Sequence, residues 1–223
     1  MHAEEREQIA EAARELAASG LVRGTSGNLS LRVGDDVVVT PTGARLGSLR
    51  ADDVAVIGLD GEHRWGPLRA TSELDLHLVA YRDHGAGAVV HSHPPAATAV
   101  SCLELDELPL VHYELLRLGG AVRIARFAPF GTPELAELVG KALRDGRQAA
   151  LMASHGATVI GGDLAGAIDQ TELLEWCCDV FLRARAAGAV RVLDAGQVQA
   201  VIDAAVARSY GTTHAASHDR SEA

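Results

Sequence analysis

The stretch Ala88-Val89-Val90-His91-Ser92-His93-Pro94 sets the reading of this chain. Its apolar start forms a short buried strand, which runs into two histidines and is stopped by Pro94 and Pro95. Residues i and i+2 of a strand point to one face, about 6–7 Å apart. His91 and His93 can therefore aim their imidazoles at one point, and imidazole suits zinc and related divalent metals. An isolated His-x-His is equally at home where a strand simply reaches the surface. A third ligand and a substrate site decide between the two.

Around this stretch the chain alternates strands and helices. Residues 4–19 read as an amphipathic helix with Ile9, Ala13, Leu16 and Ala17 on one face and Gly20 as its stop. Gly24-Thr25-Ser26-Gly27-Asn28 follows, just before an alternating strand. Such a loop can turn several N–H groups toward one anion, or be a plain tight turn. Gly34-Asp35-Asp36 turns into the strand Val37-Val38-Val39, and Thr40-Pro41-Thr42-Gly43 leaves it. Residues 54–59 form a further strand, with Asp60-Gly61 as a type I′ hairpin signal before His63-Arg64-Trp65. This run of hairpins predicts a mainly antiparallel sheet.

Thr71-Ser72-Glu73-Leu74-Asp75 opens a helix, with Ser72 and Asp75 spaced as a capping box, and Gly85 ends it. A helix is expected over 95–102, extended chain over 108–111, and a short helical piece after His112-Tyr113. A strand follows at 122–125, then a helix capped by Thr132-Pro133. The strand 149–152 ends in Ser154-His155-Gly156, which supplies the third histidine at a strand end. Residues 157–160 are another strand, and 164–187 the longest helix, with Ile168, Leu173 or Leu174, and Phe181 facing the core. Asp194 and Gln197 cap a last helix, and residues 212–223 read as a disordered tail behind one domain spanning 1–211.

With 223 residues and a net charge of −10, the chain can bury a full core and is a poor match for nucleic acid or an anionic membrane. The N-terminus has no apolar signal region, and no run reaches the roughly 18–20 apolar residues of a membrane span. Three cysteines, with Cys177 and Cys178 adjacent in a helical pattern, give no disulfide framework and suit a reducing, cytoplasmic setting.

Five motifs now stand in order: Gly-Thr-Ser-Gly-Asn at 24–28, Pro-Thr-Gly at 41–43, Thr-Ser-Glu at 71–73, His-Ser-His-Pro at 91–94 and His-Gly at 155–156. This set resembles the class II aldolase/adducin family over roughly residues 5–211, with the likeness strongest to its fuculose-phosphate aldolase branch. The resemblance implies a three-layer α/β/α domain with a mostly antiparallel central sheet, assembled as a homotetramer with active sites between subunits. It makes His91, His93 and His155 the ligands of one Zn2+ per subunit, with Glu73 touching the metal and moving protons. It gives Thr25, Asn28, Thr42, Gly43, Thr71 and Ser72 the phosphate of a sugar substrate. Tyr113 would act from a neighbouring subunit, and Phe130 and Tyr210 would lie at the aldehyde end. The implied reaction is retro-aldol cleavage of a ketose 1-phosphate to dihydroxyacetone phosphate and a short aldehyde.

Thr71 stands where the fuculose-phosphate branch has serine, which keeps the hydroxyl. The segment between Tyr113 and Phe130 is one residue shorter, which leaves the aldehyde pocket open to other substrates. Enzymes of 5-deoxyribulose or methylthioribulose 1-phosphate and a pentulose-phosphate 4-epimerase are the alternatives inside the family. Outside the enzymes, an adducin-like scaffold would be expected to lose metal ligands. A zinc isopeptidase would use His91-Ser92-His93-Pro94 with Ser101, but Glu104 stands where its aspartate belongs, and it leaves His155 without a role.

Overall fold

The computed structural model describes residues 1–208 and Tyr210. The tail expected over 212–223 and the end of the 1–211 domain lie outside the described residues. Among the described residues nine strands form a single mixed sheet: β1 (Asn28–Val33), β2 (Asp36–Val39), β3 (Ala55–Gly58), β4 (His63–Trp65), β5 (Ala88–Ser92), β6 (Glu107–Leu108), β7 (Val122–Ala125), β8 (Ala149–Met152) and β9 (Gly156–Gly161). Their order is β4-β3-β2-β1-β5-β9-β8-β7-β6, which puts β5 in the middle. Every neighbouring pair is antiparallel except β7–β8.

Helices cover both faces, giving the α/β/α single domain. On one side α2 (Leu74–His84) and α4 (Pro133–Ala142) pack on Val37, Ile57, Val89, Ala150 and Ile160. On the other, α1 (Ala3–Ala18) and the start of α5 (Leu164–Ala187) pack on Leu29, Val38, Ala88 and Val90. α3 (Pro95–Ser101) and the rest of α5 complete that layer over Leu151 and Val159. The alternation of Ala88, Val89 and Val90 between the two faces is the period of two at work. A helix α6 (Ala195–Ala207) follows, capped by Asp194 and Gln197 as the spacing predicts. Cys177 and Cys178 are buried core residues.

Three local expectations are corrected. The 58–61 turn is not type I′: Gly61 alone takes a left-handed φ, and its N–H donates to the Gly58 carbonyl. Type I′ needs positive φ at both central residues, which Asp60 does not adopt. The extended segment 108–111 joins the sheet only through Leu108, next to Glu107: beyond it the Val111 N–H turns back to the Pro109 carbonyl at 2.7 Å, and the Gly120 N–H opposite is taken by the Leu115 carbonyl. Finally, α2 starts two residues after Ser72, and Glu73 sits at its N-cap without a side-chain cap. The hydroxyl that holds this helix start is that of Thr71, which accepts from the Glu73 N–H at 3.2 Å.

Leu174 is fully buried against α3 and β9, while Leu173 is half-buried at the edge of the same cluster. Leu174→Ala is expected to cost about 2–5 kcal/mol, read as a shift of the urea midpoint, and Leu173→Ala about half of that or less.

Candidate active site

The site forms where three strand ends meet. His91 is the fourth residue of β5 and pairs with Asn28 of β1 on one side and Thr158 of β9 on the other. Its ring Nδ1 donates to the Ala157 carbonyl at 2.9 Å, which fixes the ring and leaves Nε2 facing outward. His93 follows on the same face, its Nε2 only 2.9 Å from His91 Nε2. His155 comes from the β8–β9 turn, where Ser154 takes a left-handed φ of 55° and the His155 N–H donates to Met152. The three rings form a near-equilateral triangle, with centroids 4.8, 4.9 and 4.9 Å apart. Gly156 makes the closure possible: a Cβ there would lie 2.5 Å from the Ser92 carbonyl oxygen and 3.0 Å from the His93 ring.

Glu73 closes the fourth side. It is 8% exposed. Its Oε2 accepts from Asn28 Nδ2 at 3.0 Å and lies 3.1 Å from His91 Nε2, while Oε1 lies 3.5 Å from His155 Nε2. Burial opposes ionisation, but hydrogen bonding and charge from His91, and then the Asn28 amide, outweigh it and hold the carboxyl down to about 2. Burial pushes His93 down to about 4 and lowers His155 as well. Neutral His93 and His155 rings beside a carboxylate are protonation states that suit metal ligation.

The donor set fits a divalent metal on its own geometry. The lone pairs of His91 Nε2, His93 Nε2 and Glu73 converge with one proton at most among them, and Glu73 Oε1 is buried without a hydrogen-bond partner. Positive charge at their centre would satisfy all of these groups. His91, His93 and His155 are the group among the described residues whose ligand atoms gather within 4.8 Å.

A cleft of about 650 Å3 opens from this cluster. Thr25, Asn28, Thr42, Gly43, Thr71 and Ser72 all line it, so the structure brings together every residue expected at a phosphate. Asn28 also faces inward, with its amide engaged by Glu73 and by His77. Phe130 stands at the rim, 71% exposed. Arg23 adds a cation to the wall beside the Gly24 loop, a contribution that its place next to that loop could have suggested. Tyr113 and Tyr210 do not line this cleft. They sit together in an apolar depression against α6, where the Tyr210 hydroxyl donates to Glu114 at 3.0 Å. A larger depression, of about 760 Å3 between α2 and α4, holds Asp75, Arg82, Glu137 and Lys141 but none of the clustered histidines.

Gly156→Ala would push the β8–β9 turn away from His93. Its metal affinity is expected to fall about tenfold or more in competition with a chromophoric chelator, with the far-ultraviolet circular dichroism unchanged.

Residues 7–182 match the model of the Class II Aldolase and Adducin N-terminal domain. The chain is 36% identical over 201 residues to a 5-methylthioribulose-1-phosphate/5-deoxyribulose-1-phosphate aldolase of Rhodospirillum rubrum, covering 89% of each chain. It is also 36% identical over 177 residues to the L-fuculose phosphate aldolase of Escherichia coli K12, covering 78% of this chain and 81% of that one. A solved L-fuculose 1-phosphate aldolase superposes with a TM-score of 0.84 at 29% identity, over 90% of this chain and 95% of its own. No helix among the described residues is long and apolar enough to cross a membrane. With the family model spanning most of the sequence and these relatives aligned over more than three quarters of it, the chain belongs to the class II aldolase and adducin family, as a metal-dependent aldolase.

Proposed function

We propose that this enzyme cleaves a ketose 1-phosphate, of the L-fuculose 1-phosphate kind, to dihydroxyacetone phosphate and a short aldehyde. The observation that carries the reading is one cleft with two unlike ends. One end is the His91, His93, His155 and Glu73 cluster; the other is a wall of hydroxyls and glycines from three separate loops. A phosphate held at Thr25, Asn28, Thr42, Gly43, Thr71 and Ser72 orients the sugar so that its reacting carbons reach the cluster, remote binding that serves the chemistry. Zinc held by the three histidines would supply Lewis acidity at the ketose carbonyl.

The remaining steps fall to side chains. In cleavage the C4 hydroxyl loses its proton, the C3–C4 bond breaks, the aldehyde forms at C4, and C3 takes up a proton. Glu73 is the group that moves the proton at C3, since it is a carboxylate held against the metal ligands. The phenol of Tyr113 of the partner subunit serves the C4 oxygen, with Tyr210 and Phe130 around the aldehyde. The exposure of Tyr113, and its distance from its own cleft's lining, support a role across a subunit boundary in a homotetramer.

A second reading is a 5-deoxyribulose or methylthioribulose 1-phosphate as the natural substrate. It is favoured by relatives of those names that align over 89% and 87% of this chain, against 78% for the fuculose-phosphate aldolases.

The zinc-loaded protein is expected to release dihydroxyacetone phosphate from one or more members of a panel of L-fuculose, 5-deoxyribulose and methylthioribulose 1-phosphates. A coupled reductase reads the release, and a metal-stripped sample should be silent. Firm zinc binding with silence across the panel would reject the aldolase reading. Glu73→Gln should retain zinc yet lose about 100-fold or more in kcat; near-normal turnover would remove Glu73 from proton transfer.

A further inference from the structure

Behind the cleft, α2 and β1 are joined by a line of buried polar side chains. His77 is fully buried, with Nε2 2.5 Å from Asn28 Oδ1 and Nδ1 2.7 Å from Ser30 Oγ. Ser30, also fully buried, lies 2.5 Å from the Tyr81 hydroxyl. The line ends at Glu73, through the Asn28 amide.

Where side chains are fully buried each donor must meet an acceptor, so the direction of every bond can be worked out. The Asn28 Nδ2 lies 3.0 Å from Glu73 Oε2 and its Oδ1 2.5 Å from His77 Nε2. Asn28 must therefore turn its N–H toward Glu73 and its carbonyl toward His77. A carbonyl only accepts, so His77 Nε2 carries a proton. Burial keeps a second proton off the ring, whose pKa is pushed down to about 3. Nδ1 is then bare and accepts from the Ser30 hydroxyl. Ser30 has no further hydrogen, so it accepts from Tyr81. All four bonds run one way, from Tyr81 through Ser30, His77 and Asn28 to Glu73, and such chains reinforce one another.

We propose that His77 is a positioning residue: backed by Ser30 and Tyr81, it holds the Asn28 amide in the one orientation that donates to Glu73, and so fixes the carboxylate in the site. This rests on the reading of Glu73 as the proton-moving group. With the amide turned over, the Asn28 carbonyl would face the carboxylate, and Glu73 would lose its neutral donor and its place.

Two measurements test the chain. The first needs no activity. In protein with 15N-labelled histidine, metal-free and zinc-loaded, His77 is expected to show a proton on Nε2 and a bare Nδ1 throughout the neutral pH range, with the signal assigned by its loss in His77→Gln. A proton on Nδ1, alone or together with Nε2, overturns the proposal. The second is kinetic, on zinc-loaded variants. His77→Leu removes the donor and is expected to lose about 100-fold in kcat at unchanged zinc content. The amide nitrogen of His77→Gln reaches the place of Nε2, so this variant should return to within about tenfold of the parent. A merely structural role would lower the melting temperature of both variants and leave their kcat alone. Leucine and glutamine variants that are equally impaired, or a leucine variant within about threefold of the parent, overturn the proposal. Should His77→Leu fail to fold, the tautomer and the glutamine variant still decide. If the parent cleaves no ketose phosphate, the reading of the function fails, while the tautomer separately tests the direction of the chain.

Discussion

Glu73 is almost completely buried, and a carboxylate taken out of water costs several kcal/mol unless charge and hydrogen bonds replace its hydration. Much of the local architecture answers that cost. The carboxylate sits at the N-cap of α2, where the helix dipole favours negative charge. Asn28 donates to one oxygen, and the imidazoles of His91 and His155 stand against both. One oxygen nevertheless remains without a hydrogen bond. The site is thus held short of full satisfaction in the absence of a cation, which is a sound basis for metal binding and a poor one for a purely structural ion pair.

Helix and strand geometry explain how so many polar groups meet. Glu73, His77 and Tyr81 are spaced by four residues, about 6 Å per step along one helix face. Asn28 and Ser30 are spaced by two residues, about 6.6 Å along one strand face. The two steps nearly match, so side chains from α2 and β1 interleave: Glu73 on Asn28, His77 between Asn28 and Ser30, Tyr81 on Ser30. Leu29, between the two polar strand residues, points to the opposite layer and packs with α1 and α5 residues. One register thus serves an apolar core on one face and a polar ladder on the other.

The strand–histidine pattern at 88–93, the His155-Gly156 turn and the glycine–hydroxyl loops were legible because their geometry is local. So were the caps at Thr132 and Asp194, and α5 from Leu164 to Ala187. The start of α2 was not. Ser72 and Asp75 have the spacing of a capping box, but Thr71 takes the capping bond and Glu73 turns its side chain into the site. A local rule failed there because a distant partner made the better offer. The polar ladder was hidden for the same reason. Spacings of four on the helix and two on the strand are visible in the sequence, but nothing local says that these two faces meet. The early end of the strand at Leu108 was hidden as well, since it is set by the turn of Val111 back to Pro109 and by the Gly120 N–H being taken by Leu115.

The histidines also show why the metal cluster and the substrate end obey different constraints. His91 depends on a backbone bond to Ala157 of β9, and Asn28 lies directly across from it on β1. A one-residue slip of either strand would turn its whole side-chain set to the opposite face and dismantle the cluster. The reactive end is therefore as rigid as the sheet. Phe130 lies outside the sheet, in the exposed segment before α4, and Tyr113 and Tyr210 lie beyond the cleft altogether. Changes there leave the strand register untouched, and under the proposed placement of the aldehyde they would alter only the shape offered to it. An architecture divided in this way can keep one bond-breaking apparatus while serving sugars that differ at their far ends, which is the pattern seen in the different substrates named for its relatives.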